Sequence, residues 1–431
     1  MRIPYRFSMH LTLVRLAGIF LVCAVASVCQ AQQSKNAQQL FEQLRDHVYQ
    51  VRVIDIASGD KYSIGSGFQI TASGLVATNF HVVASYVHDQ QKYRLELVHK
   101  DGETTDIALE AIDVIHDLAI LQSDELDTAF MPLGNTSLKQ GDRIYSMGNP
   151  HDLGMTIVEG TYNGLVQHVR HGQILFSGSL NAGMSGGPAL DSAGRVIGIN
   201  VAKGGDDISF LVPVEKLQLL IKRFESGVDD DIDYPARIRN ALLDDQHAFY
   251  QSIMSSDFET DRLGEVNVPA RLAPNLRCWG HTEDDEKVYF VGAHQHCRSE
   301  DSIYISEELY TGRMAYDYEW ISTDRLNPFQ FYQAVSTRFE HRRLNSSKDE
   351  KEVGNFNCHQ DTVGSDGQRW QLSTCFRRYK KYDSLYDASL VMVTIDHNHQ
   401  ALLVKYAASG ISRQNAISLF KRVLESIEWN R

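Results

Sequence analysis

Short apolar runs broken by Gly, Asn and Asp fill the first half of the chain, and the periodicity changes on either side of them. Leu40, Phe41, Leu44 and Val48 recur at helical spacing and predict a helical arm within residues 32–50. Beyond it the runs become short and β-rich: 51–56, 67–70, 94–98, 118–121, 143–147, 196–201 and 210–212. Many short strands joined by turn residues predict an antiparallel barrel or sandwich. Residues 217–224 read as a helix that closes this unit, so 51–224 are expected to fold together.

The acidic segment 225–233, with Asp229, Asp230 and Asp231, reads as a solvated linker. It leads through a linker or helix, 225–250, into a second unit, 251–431. There, strand-like runs at 287–291, 302–305, 390–395 and 402–406 mix with helical ones. A final helix is capped by Ser412 and carries one stripe of Ala416, Leu419, Phe420, Val423, Leu424 and Ile427. The pattern is α+β.

Composition narrows the partners. With 43% hydrophobic and 23% charged residues the chain is ordinary globular protein. A net charge of -13 disfavours nucleic acid and anionic membrane surfaces, whose phosphates need a basic face. Arg2, Arg6 and Arg15 precede and open an uncharged run that ends at Cys29-Gln30-Ala31. That layout reads as an export signal, 1–31, cut after Ala31 or Ala26. The run is shorter than the roughly 20 residues a membrane span needs, so no integral membrane segment is expected once the signal is removed. The periplasm or the cell exterior is the expected location.

Four cysteines remain after such a cut: Cys278, Cys297, Cys358 and Cys375. An even number in an exported chain reads as disulfides. Three pairings are open; the local ones, Cys278–Cys297 and Cys358–Cys375, are favoured.

The strongest chemical signal is Gly183-Met184-Ser185-Gly186-Gly187-Pro188. A serine alcohol needs a base to take its proton and donors to hold the resulting oxyanion. Glycines beside it permit the tight turn that aims backbone amides at one point; the amides of Gly183 and Ser185 are the candidates. The same residues fit G-x-S-x-G, the elbow of lipases and esterases. That motif feeds a helix and places acid and base after the serine. Here a turn and a β-run follow, and the best base lies before. It is His81, in Thr78-Asn79-Phe80-His81-Val82-Val83, read as a strand end after a glycine-marked hairpin. Asp117, just before the apolar run 118–121, can orient the imidazole. Asp113 is the runner-up for that role and reads rather as a turn residue.

In that order, His81, Asp117 and Ser185, with the phrases GSGF (65–68), TNFHVV (78–83), HDLAIL (116–121), GNPHDLG (148–154), NAGMSGGPAL (181–190), VIGIN (196–200) and ISFLVP (208–213), the sequence resembles trypsin-like serine proteases of the HtrA/Deg branch over about 63–213. The resemblance implies an all-β double six-stranded barrel of chymotrypsin type, with His81 as general base, Asp117 as its orienter and Ser185 as nucleophile in the cleft. It implies a polypeptide substrate and no cofactor or metal. Met184 departs from the family, which carries Asn or Asp before the serine, and leaves open whether the oxyanion loop is formed at rest. No PDZ-like segment is recognisable after Val214.

Ser179 stands where tryptic enzymes carry an acid, and Ala202, Ile208 and Phe210 are expected to line the same pocket. A neutral apolar pocket disfavours Lys or Arg, whose desolvation would go uncompensated; cleavage after small or aliphatic residues is expected. The alternative is a quiescent trypsin-like module that binds partners through its C-terminal domain. His294-Gln295-His296-Cys297 and His397-Asn398-His399 have weak metal-ligand spacing, and no metal is assigned to them. The basic and aromatic run 376–382 reads as a solvated edge strand. Oligomeric state is not legible.

Overall fold

The computed structural model describes residues 37–126, 128–205, 207–227, 233–283, 289–365 and 367–429. The export signal and Asp229–Asp231 lie outside them. Helix α1 spans 37–44, so Leu40 and Leu44 are helical as expected, while Val48 opens the first strand instead.

Seven strands follow: β1 (Val48–Asp55), β2 (Lys61–Gln69), β3 (Leu75–Thr78), β4 (Tyr93–Val98), β5 (Thr104–Asp106), β6 (Ala108–Asp113) and β7 (Leu118–Gln122). They form one antiparallel sheet, β5-β4-β1-β2-β3-β7-β6. Helix α2 (Phe80–His88) lies between β3 and β4. The next six, β8 (Arg143–Gly148), β9 (Thr156–Leu165), β10 (Ile174–Ser177), β11 (Pro188–Leu190), β12 (Val196–Gly205) and β13 (Ile208–Pro213), close into a barrel, β10-β13-β12-β11-β8-β9. Two closed six-stranded barrels were expected; the architecture is one closed barrel and one half-barrel. The physical reason is at the rim, where β5 is three residues long, pairs with β4 alone and does not reach β6.

A common core joins the two. Phe68, Leu75, Leu118 and Ile120 from the half-barrel meet Tyr145, Met147, Leu190 and Ile199 from the closed barrel. Leu40 and Leu44 of α1 and Leu217 and Leu220 of α3 (Val214–Glu225) seal it. Burying apolar area at about 25 cal/mol per Å² makes this shared core a main reason why the cleft walls hold their relative positions.

Helix α4 (Tyr234–Ser255) is capped by Asp233, whose side chain accepts from the Ala236 amide at 3.1 Å. Its first half puts Tyr234, Ile238 and Leu242 against the core around α2, and its second half puts Tyr250 and Ile253 into the core of the C-terminal region. That region is β-rich. It contains β14 (Thr260–Leu263), β15 (Val266–Pro269), β16 (Leu276–Glu283), β17 (Val291–Ser299), β18 (Ile303–Ser306), β19 (Leu309–Thr311), β20 (Met314–Ser322), α5 (Pro328–Arg338), β21 (Asn357–Ser365), β22 (Gln368–Arg378), β23 (Tyr386–Thr394), β24 (Gln400–Ile411), α6 (Arg413–Glu425) and β25 (Glu428–Trp429). Seven strands form an antiparallel sheet, β16-β17-β20-β24-β23-β22-β21.

Cys278–Cys297 joins β16 to β17 and Cys358–Cys375 joins β21 to β22, the two local pairings favoured from sequence. Each disulfide ties an edge strand to its neighbour, at opposite ends of the sheet. Helix α6 buries Ala416, Leu419, Phe420 and Val423 on this sheet, with Ser412 accepting from the Asn415 amide at its start.

Two readings of this region change. Of the run expected at 287–291, residues 287 and 288 lie outside the described residues, Tyr289 and Phe290 are not in a strand, and β17 begins at Val291. The run 376–382 is not a solvated edge. Phe376–Arg378 ends an interior strand, Arg377 is buried against Asp387, and Tyr379 and Tyr382 are buried in the core around α2. Pairing Arg377 with a buried carboxylate removes the reason for the segment to face water.

Candidate active site

His81 is the second residue of α2, not a strand end. The helix escaped notice because Phe80, Val82, Val83, Ala84 and Val87 are all buried, so no polar face marks a period. Asp117 sits in the turn before β7 at φ 56°, a left-handed conformation held by Asn79 Nδ2, which donates to the Asp117 carbonyl at 2.8 Å. Both carboxylate oxygens serve His81: Oδ1 accepts from the His81 amide at 2.8 Å and Oδ2 lies 2.6 Å from Nδ1. With its Nδ1–H donating to the carboxylate, the ring presents its Nε2 lone pair. Burial would pull the imidazole pKa down, but the Asp117 charge and hydrogen bond outweigh it, and the pKa is raised above its ordinary value. Asp113, expected in a turn, is instead the last residue of β6, and its side chain caps the turn that follows by accepting from the amides of Ile115 and His116 and from the His116 ring.

Ser185 lies on the loop between β10 and β11. The loop's carbonyls are tied down one by one. Ala182 accepts from the His151 amide (2.8 Å), Gly183 from Ser66 Oγ (2.8 Å), Met184 from Asn200 Nδ2 (3.1 Å) and Ser185 from the Ser66 amide (2.7 Å). The amides of Gly183 and Ser185 donate to nothing among the described residues. Because the Ala182–Gly183 peptide is planar and its carbonyl faces His151, the Gly183 N–H points the other way. Gly183 has φ 95°, and a Cβ there would stand 2.4 Å from the Asn149 carbonyl oxygen. Only glycine fits this turn.

Met184 is fully buried, packed among Ile144, Tyr162, Ile174, Phe176 and Leu211. It fills the closed barrel's core where a polar side chain would need partners.

The Ser185 loop and the His81 helix lie against the same strand. A Cβ on Gly65 would stand 2.5 Å from a Val82 methyl and 3.1 Å from the Ser185 carbonyl oxygen. Within this junction the Ser185 hydroxyl donates to the Val201 carbonyl at 3.0 Å, and no hydrogen bond joins it to His81 among the described residues.

Of the expected pocket residues, Ile208 and Phe210 share one face of β13, exposed and half-buried respectively. Ala202 pairs with Phe210 across the β12–β13 ladder. Ser179 donates to the Asp207 carboxylate at 3.2 Å, which brings an acid next to a position read as neutral. Ser209, not singled out from sequence, joins the walls by donating to Gly178 O and accepting from the Leu180 amide.

His294 and His296 lie on β17, far in sequence from this cleft. The His294 ring stacks on His281 at 4.4 Å, and His296 Nδ1 is 2.6 Å from Asp317. Cys297 is in its disulfide. His397 stacks on Trp429.

Residues 65–199 match the family described as trypsin-like peptidase domain. This stretch is a trypsin-like peptidase domain. The chain is 33% identical over 208 residues to the mitochondrial serine protease HTRA2 of Bos taurus, which covers 45% of this chain and 42% of that one. It is 30% identical over 235 residues to the protein of the same name from Drosophila ananassae, covering 50% and 52%. The chain thus spans about half the length of these curated relatives. Among solved structures it is similar to a serine endoprotease from Yersinia pestis (TM-score 0.39, 24% identity, 44% of this chain and 66% of that one) and to Deg5 (TM-score 0.38, 25% identity, 44% and 94%).

Two positioning residues of the peptidase domain went unnoticed in the sequence. Ser66 links β2 to the nucleophile loop through its amide and hydroxyl. Asn200 is a fully buried polar residue in an apolar run, and its side chain holds Met147 O and Met184 O. The signal was there: a buried amide inside a strand needs partners.

Proposed function

We propose that the chain is an exported serine endopeptidase that hydrolyses peptide bonds through an acyl-enzyme. Ser185 attacks the peptide carbonyl, His81 takes its proton and delivers it to the leaving amine, and Asp117 keeps the ring in the right tautomer. The amides of Gly183 and Ser185 hold the oxyanion. Water then releases the acyl group with His81 again as base.

The observation that carries this reading is the pair of undonated amides at Gly183 and Ser185 on a loop whose carbonyls from Ala182 to Ser185 are engaged. Met184 fills the core apolarly, so this loop needs no polar side chain at that position. Cleavage after small or aliphatic residues is supported by Ile208 and Phe210, and by the hydrogen bond that already engages the exposed Asp207. Residues 251–431 form a C-terminal α+β domain in this reading. Export is supported by the basic-apolar N-terminus and by two disulfides.

The resting bond from Ser185 to Val201 favours a second reading, a quiescent module that binds through its C-terminal domain. Peptide-library cleavage by the full chain and by Ser185→Ala separates the two. The endopeptidase reading expects turnover that falls by roughly four orders of magnitude or more in the variant. Equal, negligible turnover in both would leave the quiescent module. A profile dominated by Lys or Arg would overturn the specificity and point to Asp207.

A further inference from the structure

The hairpin β18–β19 leaves the C-terminal sheet and lies on α2, the helix that carries His81. Ile303, Ile305 and Leu309 are buried in the core they share with Val82, Val83 and Val87. His88 Nε2 sits 2.8 Å from the Ile305 carbonyl oxygen. Alternate residues of a strand point to opposite faces, so Tyr304, between two core isoleucines, faces the cleft. Its ring stands edge-on to the His81 ring, with centroids 5.9 Å apart and planes at 70°. Tyr310, from the other strand of the hairpin, meets Tyr304 edge-on at 5.3 Å.

Beside these rings is a cavity of about 140 Å³, bounded by Asp117, His171, Gln173 and Val201 of the peptidase side and by Tyr304 and Tyr310 of the hairpin. Val201 is the residue whose carbonyl holds the Ser185 hydroxyl, and Asp117 and Tyr304 both meet His81, so the cavity lies one residue away from the Ser185–His81 pair. A cavity of about 150 Å³ accepts a benzene ring. The carboxylate and imidazole groups around it are already engaged in hydrogen bonds. Asp117 is taken by His81, Asp301 accepts from the Arg170 amide at 2.8 Å, and His171 Nε2 is 3.0 Å from Asp245. Burial holds the Tyr304 phenol well above its ordinary range, so that ring is neutral. An anionic side chain would find no counter-ion here, and a cationic one would meet only carboxylates already engaged in hydrogen bonds, whereas an apolar one would exchange water for ring faces and edges.

We propose that the C-terminal region builds one wall of the substrate cleft, with Tyr304 and Tyr310 as specificity-determining residues for an aromatic or large aliphatic side chain of the peptide substrate. This rests on the endopeptidase reading of Ser185. The second half of the chain thereby shapes what reaches the nucleophile.

The test uses the full chain with peptidyl phosphonates that react with the active serine. Members of the set differ only by Phe or Ala, placed in turn at each of the residues preceding the one attached to phosphorus. The readout is the Phe/Ala ratio of labelling rates, which divides out any change in the reactivity of Ser185 itself. At one position the parent should prefer Phe by roughly tenfold or more. Tyr304→Ala should bring that ratio close to one, and Tyr304→Phe should restore it. A parent without such a preference, or a preference unchanged in Tyr304→Ala, overturns the wall while leaving the peptidase in place. Failure of every probe to label the parent overturns the peptidase reading and the wall with it.

Discussion

The Ser185 hydroxyl donates to the carbonyl of Val201 across 3.0 Å, while His81 is held by Asp117 on its far side. A neutral hydrogen bond contributes only about 0.5–1.5 kcal/mol net, so a substrate that displaces it faces a small barrier to freeing the nucleophile. At rest the His81 ring is therefore oriented by Asp117 and the Ser185 hydroxyl is held by Val201. A crystal structure of the phosphonate adduct should show Ser185 Oγ on phosphorus, the Val201 carbonyl released, and the Gly183 and Ser185 amides about 2.7–3.1 Å from the phosphonyl oxygen. Amides turned away from that oxygen would contradict the oxyanion assignment.

The pH profile follows from Asp117. Its carboxylate outweighs the effect of burial and raises the His81 pKa. Protonated His81 cannot act as base, so kcat/KM should fall as pH drops, with a midpoint above the ordinary value of about 6.5. In Asp117→Asn the midpoint should move down and kcat should fall by roughly 10⁴. The stability increment from this pair has the opposite sense: it is present in acid and fades as pH rises through the raised pKa. A wild-type midpoint at or below the ordinary value would contradict the geometry.

Gly183→Ala should be strongly impaired. Its φ of 95° is strained for alanine, and the new methyl would press on the Asn149 carbonyl. Relief requires the peptide to turn, which removes one oxyanion donor, and kcat should drop about 10²–10³-fold. Steady-state kinetics on a peptide substrate read this directly, and an unimpaired kcat would show that the amide is not used.

Met184→Asn tests whether the residue before the nucleophile is a core side chain. It is fully buried among apolar neighbours, and an amide there would lack partners, at a cost of about 1–3 kcal/mol. Thermal or denaturant unfolding should show that loss. A variant as stable as the parent would mean that the barrel already offers polar groups at this site.

What could be read in the sequence depended on how local the determinant was. The nucleophile loop was legible because glycines flank Ser185 within a few residues. Asp117 was legible because it borders an apolar strand. The cross-strand disulfides were legible because each closes a single hairpin. Helix α2 was missed because packing on several sides erased its polar stripe. The half-barrel was missed because closure depends on β5 and β6 meeting, which no local pattern reports. Ser66 acts through its amide and hydroxyl on a loop more than a hundred residues away. Tyr304 reaches His81 from another region altogether, and only the fold brings the rings together.

If His81 activates Ser185 as a nucleophile, a small fluorophosphonate should label that serine covalently. The full chain should be labelled at Ser185, identified by peptide mass, with labelling abolished in Ser185→Ala and slowed by orders of magnitude in His81→Ala. No labelling of the parent at any pH, or labelling that persists unchanged in His81→Ala, would contradict it.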